Sequence, residues 1–156
     1  MEVVCPQHAH EMVQVLSYPE IYTYIDDSPP TLEALTLCYR TQEENWHGRP
    51  ESWHNWIIRN KSTHKAMGYV QATVHHPTHS AELAWVLAPQ YSGQGFASEA
   101  TRCVIAEHVH GSQVDALLCY IDSKNEASKS LAQALGFKLS KLQPLTAQRW
   151  EHNIAG

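Results

Sequence analysis

Apolar positions along the chain follow a helical period at first, then gather into short strand-like runs between polar connectors, and then switch between the two. Between Gln7 and Leu16, the residues Met12, Val13 and Leu16 fall at helical spacing, and Tyr18-Pro19-Glu20 ends the segment. A second helix is predicted after Ser28-Pro29-Pro30-Thr31, with Leu32, Leu35 and Tyr39 along one face and proline tolerated in the first turn. Trp53 to Arg59, Met67 to Val74 and Ala81 to Leu87 then read as strands. Their connectors, Asn60 to Lys65 and His75 to Ser80, are short and polar, which predicts an antiparallel meander. From Ser92 the pattern becomes a Gly-rich turn, a helix from about Ala97 to His110, an apolar strand from Val114 to Ile121 and a helix from Glu126 to Leu135. That last helix sets Ala127, Leu131, Ala134 and Leu135 on one face and stops at Gly136, a residue suited to a left-handed cap. Phe137 to Leu139 and Thr146 to Trp150 supply two final strands. A meander followed by a βαβ crossover predicts an α/β (α+β) fold, with a mixed, mostly antiparallel sheet and helices on both faces.

Composition narrows this picture. The 156 residues, with no internal repeat and Pro and Gly scattered as turn punctuation, are expected to form one domain over 1–156, since single cores run to about 100–200 residues. Hydrophobic residues make up 43%, enough for a core and against global disorder, and charged residues only 17%. Eleven Lys and Arg against sixteen Asp and Glu give a net charge of -5 with no basic cluster, so binding to nucleic acid is not expected. An acidic surface would instead attract a cationic partner such as an amine. Apolar runs such as Ala116 to Ile121 fall far short of the roughly 18 residues of a membrane span, and Met1-Glu2-Val3-Val4-Cys5-Pro6 does not resemble a secretory signal. No membrane association and a cytoplasmic location are expected. Cys5, Cys38, Cys103 and Cys119 form no Cys-x-x-Cys pair and are expected to be buried, reduced thiols.

Candidate chemistry concentrates in Leu87-Ala88-Pro89-Gln90-Tyr91-Ser92-Gly93-Gln94-Gly95-Phe96-Ala97-Ser98-Glu99-Ala100, where a strand hands over to a helix. Two glycines let the backbone approach a ligand, and the free amides of the first helical turn point outward with the positive end of the helix dipole. This is an anion cradle suited to a pyrophosphate. A tight turn that merely needs glycine is the alternative reading. A P-loop fails because no Gly-Lys-Ser/Thr is present. In a dinucleotide fingerprint Gly93-x-Gly95-x-x-Ser98 would be followed by an acidic residue closing the next strand, whereas Asp115 opens it.

The segment resembles the acetyl-CoA-binding motif of the GNAT superfamily of N-acetyltransferases, Gln/Arg-x-x-Gly-x-Gly/Ala, through Gln90, Gly93 and Gly95. Its longer form is similar to the RimJ/RimL-type branch, the ribosomal-protein N-terminal acetyltransferases and their relatives. Asn125-Glu126-Ala127-Ser128 and Leu135-Gly136-Phe137 match that branch's downstream elements, and Trp56-Ile57-Ile58, Met67-Gly68-Tyr69 and Ala81 to Trp85 its central strands. The resemblance implies the GNAT fold with a central splayed βαβ acetyl-CoA site. Backbone groups of Trp85, Val86 and Leu87 would line the pantetheine arm. Amides from Ser92 through Gly93, Gln94, Gly95, Phe96 and Ala97 to Ser98 would hold the pyrophosphate. Gln90 would shape the turn, and Asn125 and Ser128 would face acetyl-CoA from the following helix.

Acyl transfer to an amine requires a base for the amine proton, a polarised carbonyl and a thiolate leaving group. Glu82, sharing a strand face with Ala84 and Val86, is the candidate base; a solvated strand-edge carboxylate is its alternative. An amide near Val86 would polarise the carbonyl. Many GNAT enzymes carry a tyrosine acid four residues before the glycine of Leu-Gly-Phe, where this chain has Ala132. Ser128 is therefore the candidate to assist the departing sulfur, with Tyr120 second. Eleven histidines, including His8-x-His10, His75-His76-x-x-His79 and His108-x-His110, lack catalytic-zinc spacing and are expected at the surface, with no metal. Tyr18, Tyr22, Tyr24, Trp46 and Trp53 surround the first helical pair, where the family builds its acceptor wall, though core packing is the expectation for most of them. Asp26 and Asp27 are expected to be ordinary loop acids. The implied function is acetyl transfer from acetyl-CoA to a primary amine, a protein or peptide N-terminus or else a small amine such as a polyamine or aminoglycoside, by a monomer or homodimer. A non-catalytic acyl-CoA-binding module and a histidine-based metal binder are the alternatives from other classes.

Overall fold

The computed structural model describes residues 1–43, 49–109, 114–140 and 147–154. Its seven strands are β1 (Glu2–Val3), β2 (Glu51–Arg59), β3 (Ala66–His75), β4 (Ser80–Leu87), β5 (Ala116–Asp122), β6 (Lys138–Leu139) and β7 (Ala147–Asn153). They form one sheet in the order β1-β2-β3-β4-β5-β7-β6, in which only β4 and β5 run parallel. The helices are α1 (Ala9–Val15), α2 (Leu32–Glu43), α3 (Phe96–Val104) and α4 (Glu126–Ala134). The meander β2–β3–β4 and the α3 crossover to β5 follow the sequence reading closely. Strand β1 and the 3-10 turns Pro6–His8 and Pro19–Tyr24 are additions, and Thr146 and Trp46 lie outside the described residues.

Strand alternation sends side chains to opposite faces, and each face carries its own core. On one, Trp56, Val70, Leu83 and Leu117 pack with Ala100 and Val104 of α3 and Ala132 of α4. On the other, Ile57 and Val86 pack with Ala9 and Met12 of α1 and Leu35 and Tyr39 of α2. Thr31 starts α2, its Oγ1 accepting from the Ala34 amide at 3.2 Å, while Asn125 caps α4 by accepting from the Ser128 amide at 3.1 Å. Gly136 has φ +88, a left-handed conformation that favours glycine, and a Cβ there would meet the His152 ring at 2.6 Å.

Two expectations about helices are corrected. The helix beginning at Phe96 keeps α geometry only to Val104 and continues as a wider π-type turn over Ile105–Val109. On α4 the residue buried in the core is Ala132, whereas Ala127 and Ala134 are exposed. The stripe through Ala127, Leu131 and Ala134 turns toward a groove instead of the core.

Candidate active site

Parallel pairing of β4 with β5 stops after three positions, Ser80↔Ala116, Ala81↔Leu117 and Glu82↔Leu118. Both strands go on, but each is held by its other neighbour: β4 pairs with β3 out to Leu87↔Gly68, and β5 pairs with β7 out to Asp122↔Ala147. The sheet is therefore forced open between them. A groove of 760 Å³ occupies this opening, bounded by Glu82 to Leu87 on β4, Cys119 to Asp122 on β5, the start of α3 and one face of α4. The Ala88 amide donates to the Met67 carbonyl at 2.8 Å, on the β3 side. Because backbone groups alternate in direction along a strand, those of Trp85 and Leu87 are turned into the opening.

At the end of the groove the chain turns through Gly93 (φ +73) and Gly95 (φ +84) into α3. Left-handed backbone at both positions explains the glycines, and a Cβ at either would meet nothing within 4 Å, so both face open space. Gly95 is the N-cap of α3 and no side chain caps the helix, which leaves the first-turn amides with their outward orientation. Ser92, Gly93, Gly95, Ala97 and Ser98 line the groove. Gln94 instead folds back, its Nε2 donating to the Gln90 carbonyl at 2.8 Å, so this pair fastens the turn. The Gln90 side chain reaches the Tyr18 hydroxyl at 3.5 Å, and Phe96 packs edge-on against Tyr91. A pyrophosphate on bare amides and a slender arm between the splayed strands both fit these residues.

Glu82, Ala84 and Val86 share the sheet face that carries α1 and α2, and Glu82 lies in the groove wall. Its carboxyl is held above the ordinary range: burial disfavours the charged form, the nearby His75 imidazole partly offsets this, and the Glu51 carboxylate adds to it. His75 Nδ1 sits 2.9 Å from Glu51 and Nε2 sits 3.9 Å from Glu82, so the imidazole stands between two carboxylates. On the opposite face the Trp85 indole N–H donates to Ser128 Oγ at 3.4 Å, which leaves the Ser128 hydroxyl proton for another partner. Asn125 and Ser128 both line the groove, as does Tyr120, which is 45% exposed. Ala132 is fully buried on the core side of α4. Cys119 lines the groove as well, and burial pushes its thiol up to about 12.

Other sequence-marked residues fall in several places. Tyr18, Tyr24 and Trp53 are exposed, contrary to the core packing expected of them, because the 3-10 segment and the open end of the sheet face carry them away from both cores. Tyr22 donates its hydroxyl to the Leu16 carbonyl at 2.9 Å, and Asp27 accepts from the Ser28 amide at 2.8 Å. All four cysteines are free, but only Cys119 is buried; Cys38 is exposed on α2. His8 is buried against Cys5 and Glu2 instead of lying at the surface. Among the described residues, no three His, Cys, Asp or Glu side chains converge as metal ligands. His110 lies outside the described residues. Sequence reasoning did not mark Asn55, Tyr69 and Gln71, which line a second cavity beside the groove, nor Glu51. Polar residues inside a strand signal nothing until the sheet shows which face they occupy.

The profile of the family described as "Acetyltransferase (GNAT) domain" matches residues 1–138. The uncharacterized protein YkkB of Bacillus subtilis (strain 168) is 28% identical over 117 residues, a match that takes in 71% of this chain and 65% of that protein's length, so the relative extends well beyond the shared part. Among solved structures, a ribosomal alpha-N-protein acetyltransferase, RimL, in complex with coenzyme A superposes with a TM-score of 0.84 at 12% identity, covering 98% of this chain and 92% of that one. A spermidine N-acetyltransferase SpeG chimera from Vibrio cholerae and hSSAT superposes with a TM-score of 0.79 at 14% identity, covering 97% and 93%. The shared fold is the mixed, mostly antiparallel sheet with helices on both faces.

Proposed function

We propose that this chain, which belongs to the GNAT acetyltransferase family, transfers the acetyl group of acetyl-CoA to a primary amine, with a protein or peptide N-terminus as the acceptor. The observation that carries the reading is the opening between β4 and β5 leading onto the uncapped N-terminus of α3. Acetyl-CoA would supply the activated acyl group and its own leaving thiol. The pyrophosphate rests on amides from Ser92 to Ser98, and the backbone of Trp85 to Leu87 borders the pantetheine arm. The amides of Trp85 and Leu87, directed into the opening, supply the donor for the thioester carbonyl.

Glu82 takes the amine proton, directly or through a water molecule. Its raised carboxyl suits the task, since a base works best when its pKa approaches the working pH. Ser128, with its oxygen already accepting from Trp85, turns its hydroxyl proton to the departing sulfur. The reaction is direct attack, with no covalent intermediate on the enzyme. The likeness to a spermidine enzyme supports a small amine as the second acceptor class. We assign the reaction to the cytoplasm, to a monomer or homodimer and to one domain over 1–156; no helix among the described residues is long and apolar enough to cross a membrane.

The test is a thiol-release assay with acetyl-CoA against N-terminal peptides, polyamines and aminoglycosides, paired with calorimetry of acetyl-CoA on wild type and Gly95→Asp. A side chain forced onto φ +84 in front of the amides, carrying a negative charge, should abolish acetyl-CoA binding while the fold persists. Normal binding by folded Gly95→Asp would remove the phosphate cradle, and binding without turnover of any amine would favour the regulatory module.

A further inference from the structure

An amine acceptor arrives as an ammonium ion and departs as an amide, so it gives up two protons: one before its nitrogen can attack, and one once the C–N bond has formed. A carboxylate holds one proton at a time. A base that serves both events must therefore be emptied between them, while the acceptor lies against it in the groove.

The sheet places an outlet beside Glu82. Glu51 of β2, His75 of β3 and Ser80 of β4 form one cross-strand row, and Glu82 follows two residues along β4, so the three ionisable side chains stand on the same sheet face. His75 Nδ1 lies 2.9 Å from Glu51 Oε1, and Nε2 lies 3.9 Å from Glu82 Oε2. An ionised carboxylate only accepts hydrogen bonds, so Nδ1 carries the proton donated to Glu51. In the neutral ring Nε2 is then a bare lone pair on the side of Glu82. The remaining gap exceeds hydrogen-bond reach by about 1 Å, which a side-chain rotation or one water touching both groups closes. Glu82 lines the groove, whereas His75 and Glu51 lie outside its wall and keep 27% and 45% of their side-chain surface in solvent. The other titratable groups of the groove wall are Cys119, Tyr120 and Asp122 from β5 and Glu20 and Tyr24 from the 3-10 segment. Beyond Leu118, Glu151 of β7 is paired with Arg149 at 2.9 Å. These are acids or, in Arg149, a permanent cation, which leaves the His75 imidazole as the nitrogen base beside Glu82. Ion pairs this exposed add little to folding stability, so stability does not account for the arrangement.

We infer that His75 is a positioning residue for Glu82 and the outlet for the protons it collects, with Glu51 fixing the ring. The inference rests on the acetyl-transfer reading of the groove and supplies the step that empties the base. The ammonium N–H bond breaks as the Glu82 O–H bond forms. That O–H bond breaks in turn as the His75 Nε2–H bond forms, and the imidazolium, held between two carboxylates, gives its proton to water at the end of β3. Glu82, a carboxylate again, takes the second proton when the C–N bond closes and sheds it by the same route. Two protons leave and one enters from solvent to restore the hydroxyl proton that Ser128 gives the thiolate, so each acetyl transferred releases one proton.

The experiment follows thiol release at saturating acetyl-CoA and amine, using the most active amine among N-terminal peptides, polyamines and aminoglycosides. Wild type is compared with His75→Ala, Glu82→Gln and the double variant. His75→Ala should lower kcat by about tenfold or more at an unchanged KM for acetyl-CoA, and imidazole added at constant ionic strength should restore much of that rate while leaving wild type unaffected. Because the outlet carries nothing without its base, the double variant should turn over within about twofold of Glu82→Gln. Tm of His75→Ala should stay within about 4 °C of wild type, so folding does not obscure the result. Nitrogen-15 spectra of the neutral His75 ring should show the Nδ1–H tautomer, shifting toward Nε2–H in Glu51→Leu. Wild-type kcat in His75→Ala beside a loss of about a hundredfold in Glu82→Gln overturns the inference and leaves the base in place. Additive losses without imidazole rescue also overturn it, since a packing role behaves in that way. Wild-type kcat in Glu82→Gln removes the base and the outlet with it. Should no amine release thiol, the transfer reading fails separately and the ring spectrum decides the arrangement: the Nδ1–H tautomer supports it, and the Nε2–H tautomer overturns it.

Discussion

Replacing Gly68 by alanine tests whether the sheet's internal spacing controls the site. Gly68 lies opposite Leu87 on β4, and a Cβ added to it would stand 1.9 Å from the Val86 carbonyl oxygen, 2.8 Å from the Leu87 Cα and 2.9 Å from the Val86 carbonyl carbon. All three are backbone atoms, so no side chain can swing aside. Ordinary contact begins near 3.4 Å, and relief therefore requires the strands to part by about 1.5 Å at Val86. That movement would strain the Ala88 to Met67 hydrogen bond and shift the backbone that borders the groove. Overpacking of this kind destabilises by about 1–3 kcal/mol, which lowers Tm by about 2 to 12 °C in a chain of this length and leaves it folded at 25 °C. Misplacing reacting groups by about 1 Å lowers turnover by about a hundredfold. Thermal melts and thiol-release kinetics on Gly68→Ala should show both losses with an unchanged far-ultraviolet spectrum. Wild-type Tm and kcat in Gly68→Ala would refute the argument that the close approach of β3 to β4 positions the site.

Glu82→Gln should lower kcat by about a hundredfold or more. Because burial raises the Glu82 carboxyl and the base acts deprotonated, wild-type kcat/KM should rise with pH through a limb above the ordinary carboxylate range, a limb the variant lacks; an intact limb would leave Glu82 a bystander. A protonated His75 lowers the Glu82 pKa, so His75→Gln should move that limb to higher pH, and a shift to lower pH would contradict the assigned coupling. Ser128→Ala should slow transfer by about tenfold, the effect of one hydrogen bond of about 1.4 kcal/mol, at equal acetyl-CoA affinity, and Tyr120→Phe should do less. The opposite order would make Tyr120 the proton donor.

Local chemistry accounts for what could be read along the chain. The aromatic and β-branched residues of Trp53 to Arg59 and Met67 to Val74, the Pro and Thr before α2, and Gly136 after α4 act within a few residues, so their effects survive translation into three dimensions. Gly93 and Gly95 were equally legible, because left-handed backbone demands glycine wherever the chain finally lies. Trp53, Tyr18 and Tyr24 show the limit: an aromatic side chain is apolar in any sequence, but whether it is covered depends on which elements arrive over it. Ala127 and Ala134 likewise have helical spacing suited to a core, and the opening between β4 and β5 makes their stripe a groove wall.

Composition and spacing by themselves determined the order of elements, the meander with its crossover, the glycine turn into α3 and the position of Glu82 on a strand next to it. Tertiary structure alone decided the rest. The β4–β5 opening arises because β3 and β7 hold those strands apart over residues distant in sequence. His75 stands between Glu51 and Glu82 only through the register of three strands, and Asn55 comes to line a cavity only once α2 covers that face. Such placements depend on long-range pairing and burial, which no window of neighbouring residues contains.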